Sequence, residues 1–241
     1  MEIKNMTNRT LPEVKHRISN GASAITFKTT DGRVLKRFVD NEVYQRILLT
    51  HNYQFLTYLI ELAKMDNSLF VDIDEIFLGS KKRVGAYTYE YQAGTTIADL
   101  YPKTDLIKLR NALVEAQNNI KELEDFRLRD IHSKNVIYTG DIKVIDTDFC
   151  TFDDSVTVEE NMRHFNNAIV RGLFDFKCDA SLKVDRRLKG SFESIMHGES
   201  GVTEFLDDYM DLLKKEHGTP KYYKHLTKDF IGEKHGLFGR R

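Results

Sequence analysis

Strand-like and helix-like periodicities are segregated along this chain, and that segregation constrains the fold more than any single motif. Residues 14–39 alternate in strand fashion as VKHRIS, AITFK and RVLKRFV, with Thr30-Asp31-Gly32 between the last two runs. Two β runs joined by Asp-Gly predict a hairpin. Residues 41–65 contain no Gly or Pro and repeat apolar residues at three- and four-residue spacing, which predicts one or two helices. LFVDIDEIFLG and RVGAYTYEYQ return to strand character, with Gly79-Ser80-Lys81 as the turn. After Gly94, TTIADLYPKTDLIKLRNALVEAQNNIKELEDF has helical periodicity, with Thr95 or Thr96 as a cap and Pro102-Lys103-Thr104 as a break. A short loop, a strand VIY, a turn at Thr139-Gly140-Asp141 and a strand IKVID follow; beyond about residue 157 the chain reads as helices and loops. This order predicts an α+β rather than an alternating α/β fold. Residues 1–92 form a β-rich part with one helical insertion and residues 93–241 a mainly helical part, with a ligand expected in a cleft between them.

Composition narrows the function classes. A chain of 241 residues fits one large domain or two small lobes, and with 41% apolar and 30% charged residues it can bury a core. A formal net charge of −1 gives no global reason to expect nucleic acid or a membrane surface as partner. Two cysteines, Cys150 and Cys178, stand outside any metal or redox spacing, which points to a reducing, cytoplasmic setting. The start, MEIKNMTNRT, lacks an apolar signal core, and no apolar run reaches membrane-spanning length. The end, KYYKHLTKDFIGEKHGLFGRR, carries excess positive charge and interleaved aromatics; such a pattern can bind phosphate-rich partners, but here it reads as a solvated tail packing a few aromatics on the helical part.

Several residues could carry chemistry. In NGASAITFKTTDGRVLKRF, the small-residue turn around Gly21, Ala22 and Ser23 would let backbone N–H groups approach phosphate oxygens. Strand alternation places Val34, Lys36 and Phe38 on one face, so Lys36 points along a buried side. It is either an edge-strand lysine reaching water or an ammonium holding α- and β-phosphates, with Val34 against the base. Glu90, Tyr91 and Gln92 end a strand at the junction of the two parts, where backbone groups could bond an adenine edge. RDIHSKNVIYTGDIKVIDTDF, residues 129–149, is the densest signal. Asp130 and Asn135 lie five apart on a short loop, and the following hairpin returns Asp146 to the same place. One carboxylate to accept a hydroxyl proton and two oxygen ligands for Mg²⁺ are parts that phosphoryl transfer needs.

With these pieces in this order, residues 14–152 resemble the protein-kinase-like superfamily, in its small atypical bacterial or phage-type form. NGASAITF resembles a degenerate glycine-rich loop, VLK the lysine strand, and YEYQAG the hinge. Arg129-Asp130 with Asn135 resembles the catalytic loop, and VID ending at Asp146 the metal-binding strand. The resemblance implies a two-lobed fold and an ATP- and Mg²⁺-dependent kinase. In it Asp130 faces the acceptor hydroxyl, Asn135 and Asp146 bind Mg²⁺, Lys36 holds ATP phosphates, and the Glu90 carbonyl and Gln92 amide meet adenine.

The departures are specific. Only Gly21 remains of the glycine loop, Leu128 stands where the catalytic-loop motif has His, and Asp146-Thr147-Asp148 replaces Asp-Phe-Gly. His132, two after Asp130, is similar to the D-x-H-x-x-N loops of aminoglycoside- and choline-kinase-like enzymes. A glutamate partner for Lys36 stays open between Glu42, Glu61 and none, and Asp148 is open between metal ligand and turn residue. The Arg129-Asp130 pair directs the expected acceptor to Ser or Thr hydroxyls on a protein. A small-molecule hydroxyl is the alternative, followed by a pseudokinase and by a metal-dependent phosphohydrolase using Asp130, His132, Asp146 and Asp148.

Overall fold

The computed structural model describes residues 1–174 and 189–222. Cys178 and all but the first two residues of the basic C-terminal stretch lie outside them. The chain divides into two compact units, Met1–Ala93 and Gly94–Arg241. It is α+β, with the larger sheet in the first unit and most of the helix in the second.

The first unit is a six-stranded sheet of β1 (Glu2–Asn5), β2 (Val14–Asn20), β3 (Ala24–Thr29), β4 (Arg33–Phe38), β5 (Ile73–Leu78) and β6 (Val84–Glu90), ordered β1-β5-β6-β4-β3-β2. β1 is absent from the sequence reading, because four residues without apolar alternation give no strand signal; its parallel pairing with β5 is a tertiary effect. Helices α1 (Glu42–Thr50) and α2 (Phe55–Lys64) fill the interval between β4 and β5. They separate where Asn52 and Tyr53 take left-handed backbone, φ 50° and 61°, which a helix cannot propagate through.

β4 is central, hydrogen-bonded to β3 on one side and β6 on the other. One face carries Val34, Lys36 and Phe38, where the Phe38 ring stacks on Tyr44 at 4.7 Å and meets Phe55 edge-on at 5.5 Å. The other face is also covered: Leu35 packs with Phe77 and Ala86, and with Met6, Leu11 and Phe27. Simple in–out alternation is lost there for a topological reason. β1 and β2 occupy opposite edges of the sheet, and the segment joining them lays Met6 and Leu11 over the face that Leu35 presents.

An ionic chain braces the strand ends. Arg33 bonds Asp31 at 2.7–2.9 Å and Glu75 at 2.7 Å, and Glu75 also takes Lys4. The Arg33 guanidinium, helped by the Thr29 hydroxyl, holds the Asp31 carboxyl down to about 2. Because that folded-state value lies below the unfolded one, the contribution is complete above about pH 4 and fades as pH falls toward 2. Asp31→Asn should therefore flatten the acid limb of the melting temperature between pH 4 and 2, by a small amount because the pair is partly exposed; an unchanged limb would show that the pair adds nothing.

The described residues of the second unit include two small sheets, β10-β9-β7 and β11-β8, built from β7 (Thr95–Thr96), β8 (Phe126–Arg127), β9 (Val136–Tyr138), β10 (Ile142–Val144) and β11 (Thr151–Phe152). Among its described residues are helices α3 (Leu106–Lys121), α4 (Val158–Phe174), α5 (Lys189–His197) and α6 (Val202–His217). Thr95 and Thr96 pair with β9, opposite Tyr138 and Ile137, and Thr96 also stands at the N-cap position of a single 3-10 turn, Ile97–Asp99, its hydroxyl bonded to Asp99 at 2.8 Å; the long helix starts later. Gly94 permits that pairing, since a β-carbon there would fall on the Tyr138 carbonyl. The cap of α3 is Asp105, whose carboxylate accepts the Ile107 and Lys108 N–H groups at 3.0 and 3.1 Å. Helices α3 and α6 are joined by a two-pronged Arg110–Asp207 pair. Beneath it, the Thr203 hydroxyl donates to Gln117, whose amide donates to Asn166, tying α6, α3 and α4 together inside the core. Among the described residues no helix is long and apolar enough to cross a membrane.

Candidate functional site

The residues singled out in the first unit gather around β4. Lys36 is only 5% exposed, and β4 is not an edge strand, so the edge-lysine alternative does not hold. Its ammonium lies 5.8 Å from the ring centroids of both Phe38 and Tyr87, close enough for cation–π attraction. Neither candidate glutamate is buried: Glu61 is exposed and paired with Lys64 at 2.9 Å, and Glu42 is exposed in the first turn of α1.

The small-residue turn is held by its carbonyls. Gly21 N–H donates to the Ala24 carbonyl and Val39 N–H to the Ser23 carbonyl, both at 2.9 Å. The Ala22 carbonyl accepts Asn41 Nδ2, while Asn41 Oδ1 caps α1 by accepting the Tyr44 N–H at 2.9 Å. One side chain thus fixes both the turn and the start of α1, and the sequence reading missed it because Asn41 and Ala22 lie 19 residues apart. At the other end of the sheet, the Gln92 amide sits 3.4 Å from the Glu90 carbonyl, and the Tyr91 ring lies under Lys28 at 3.5 Å.

The second unit brings Asp130, Asn135 and Asp146 into one loop cluster. Asn135 is the hub: its Nδ2 donates to the Asp130 carbonyl at 3.3 Å, its N–H to the His132 carbonyl at 2.8 Å, and its own carbonyl accepts the Ile145 N–H at 2.8 Å. The last bond extends the β9–β10 ladder by one rung beyond Val136 and Val144, which delivers Asp146 directly beside the loop. With Nδ2 committed to Asp130, the Asn135 amide oxygen is the atom able to meet a cation. Asn135 is buried, whereas Asp130 and Asp146 are exposed. Both aspartates take left-handed backbone, φ 54° and 60°. Such conformations cost energy in non-glycine residues and collect at functional sites.

Burial pushes the Cys150 thiol up to about 12, and the negative charges of Asp148, Asp146 and Asp130 add to that rise, so all three carboxylates converge on one neighbourhood. Asp148 itself is 1% exposed. Among the described residues no three His, Cys, Asp or Glu side chains form a metal-binding group. The donors present, one amide and exposed carboxylate oxygen, fit a hard cation such as Mg²⁺, which takes one or two protein ligands and completes its shell with phosphate and water. His132 is exposed and contributes its carbonyl to the loop. Leu128, at the position where the kinase motif has His, is fully buried.

Two supports of the loop are missing from the sequence reading. Asn161 of α4 is fully buried; its Oδ1 accepts the Leu128 N–H at 2.8 Å and its Nδ2 donates to the Phe126 carbonyl at 2.7 Å. It clasps the strand that leads into Asp130. Its signal was available: Asn161 stands four before Phe165 and eight before Ile169, a polar residue in an otherwise apolar helical stripe. Gly172, on the same helix, lets α4 approach the loop, since a β-carbon there would lie 2.6 Å from both Ser133 Cβ and Ile97 Cγ2. Below, Arg127 anchors the loop base to Asp153 and Glu160 at 2.8 and 2.7 Å.

Comparison with protein-family models and with curated proteins returns no match to this chain.

Proposed function

We propose that this protein is a phosphotransferase of the protein-kinase-like superfamily, two-lobed and cytoplasmic, that uses Mg²⁺ and ATP to phosphorylate a Ser or Thr hydroxyl on a protein. The observation that supports the reading is the buried Asn135, which bonds the Asp130 carbonyl and the Ile145 N–H one residue before Asp146, with both aspartates in left-handed backbone. Left-handed backbone occurs elsewhere in this chain, as at Asn52 and Tyr53; what supports the reading is its coincidence with a buried asparagine that bonds the chain at both approaches.

Each side chain has a role in this reading. The exposed Asp130 carboxylate orients the acceptor hydroxyl and takes its proton as the oxygen attacks the γ-phosphorus. Asn135 and Asp146 would hold Mg²⁺, which supplies positive charge against the transferring phosphate. Lys36, kept from water on a central strand, would hold the α- and β-phosphates. Val34 faces the base, the turn at Gly21, Ala22 and Ser23 covers the phosphates, and the backbone at Glu90, Tyr91 and Gln92 meets the adenine edge. The Gly21 N–H and the Ala22 and Ser23 carbonyls are already bonded, so the N–H groups of Ala22 and Ser23 would be the ones to meet phosphate. Exposed Arg129 beside Asp130 is placed to meet an acidic or phosphate-bearing acceptor surface.

The nucleotide half of this reading has a direct test. Adding Mg²⁺ and ATP at about 100 times Kd should stabilise the protein by about 2.7 kcal/mol, read as a higher melting temperature, and Lys36→Ala should remove most of that gain. An unshifted wild-type melting curve at millimolar ATP would remove the basis for a nucleotide site.

A further inference from the structure

Beyond the phosphotransferase reading, and independent of it, the first unit contains a ligand-sized hollow on the sheet face opposite Lys36. Its volume is about 390 Å³ and its lining is Asn8, Leu11, Pro12, Glu13, Val14, Phe27, Leu35 and Arg37, within the range of small-molecule sites. Its origin is topological. The segment from β1 to β2 must pass from one edge of the sheet to the other, and it leaves Phe27 half-buried, with space beneath residues 8–14.

The lining has two chemistries. Leu35 is buried and Leu11 and Phe27 half-buried, forming an apolar floor. Two exposed side chains of opposite charge, Arg37 and Glu13, stand among the lining residues. Among the described residues neither belongs to an ion pair. The Glu13 carboxylate meets only the Thr30 hydroxyl, at 3.5 Å. Apolar floor, guanidinium and carboxylate together match a small zwitterion with an apolar side chain. We propose that this hollow binds a free apolar α-amino acid. Its carboxylate takes Arg37, its ammonium takes Glu13, and its side chain lies on the half-buried Leu11 and Phe27. A simple hydrophobic anion would leave Glu13 opposed, and a simple amine would leave Arg37 opposed; only the zwitterion meets both.

The experiment is a titration of the full chain, by two-dimensional amide NMR or calorimetry, with L-phenylalanine and L-leucine as probes and with phenylacetate and phenethylamine as single-charge controls. Saturable binding of the amino acids is expected, at least tenfold tighter than either control. Arg37→Ala and Glu13→Ala, both at exposed positions, should each weaken it about tenfold with an unchanged melting temperature. Val14→Trp, at a half-exposed position in the hollow's wall, should abolish it by filling the space. No saturable binding, equal binding of the controls, or full affinity in Val14→Trp would overturn the proposal. None of these outcomes depends on ATP, so failure here and failure of the phosphotransferase reading are separable.

Discussion

Asp130→Asn is expected to bind Mg²⁺ and ATP as the wild type does while losing phosphate transfer by about 10²–10⁴-fold, the usual worth of a positioned general base. The substitution keeps the size of the side chain, and the structural bond to Asn135 uses the Asp130 carbonyl rather than its carboxylate. The loop therefore keeps its shape. What disappears is the group that, in the proposed reading, would accept the hydroxyl proton. Thermal shift with ATP reports the first half of this expectation and a transfer assay the second. Loss of both would mean that Asp130 is structural; equal turnover would end its catalytic assignment.

The second large effect is expected at a residue that touches neither ATP nor acceptor in the proposed reading. Asn161→Ala removes both partners of the Leu128 N–H and the Phe126 carbonyl at a fully buried position. Leaving two buried backbone groups unpaired costs about 2–5 kcal/mol, a fall in melting temperature of roughly 5–15 °C for a chain of this size. Below that melting point the surviving folded protein should still transfer phosphate about 10²-fold more slowly, because an ångström of displacement at the loop misplaces Asp130. A melting temperature within a degree or two of wild type would show that the clasp contributes little.

How much of this was legible in the sequence differs by residue. The Asp31-Gly32 and Gly140-Asp141 turns were readable because Gly32 and Gly140 supply the left-handed backbone, φ 89° and 114°, that the turns need. The hairpin returning to Asp146 was readable from the same cause, and with it the idea that Asp130, Asn135 and Asp146 share a neighbourhood. Three other features were hidden because they depend on contacts distant along the chain. β1 is a strand only because β5 offers it an edge. Thr95 and Thr96 pair with β9, so Thr96 precedes only a short 3-10 turn at Ile97–Asp99 while Asp105 caps the long helix. Lys36 could be placed on a face but not in a central strand, since strand order is not written in local alternation. Asn41 was hidden in the same way, since it bonds Ala22 far away in sequence; Asn161 left a trace as a polar residue in an apolar stripe, but its partners at Phe126 and Leu128 did not.

The central claim is the transfer of a phosphate, and one assay meets it directly. Purified protein is mixed with γ-labelled ATP, Mg²⁺ and a cell extract whose own kinases have been inactivated, and protein and small-molecule products are separated. The account predicts wild-type-dependent label on Ser or Thr of a protein, absent with Asp130→Asn; label on a small molecule would keep the chemistry and move the acceptor. Label transferred equally by Asp130→Asn, or no label transferred to any hydroxyl by the wild type, would contradict it.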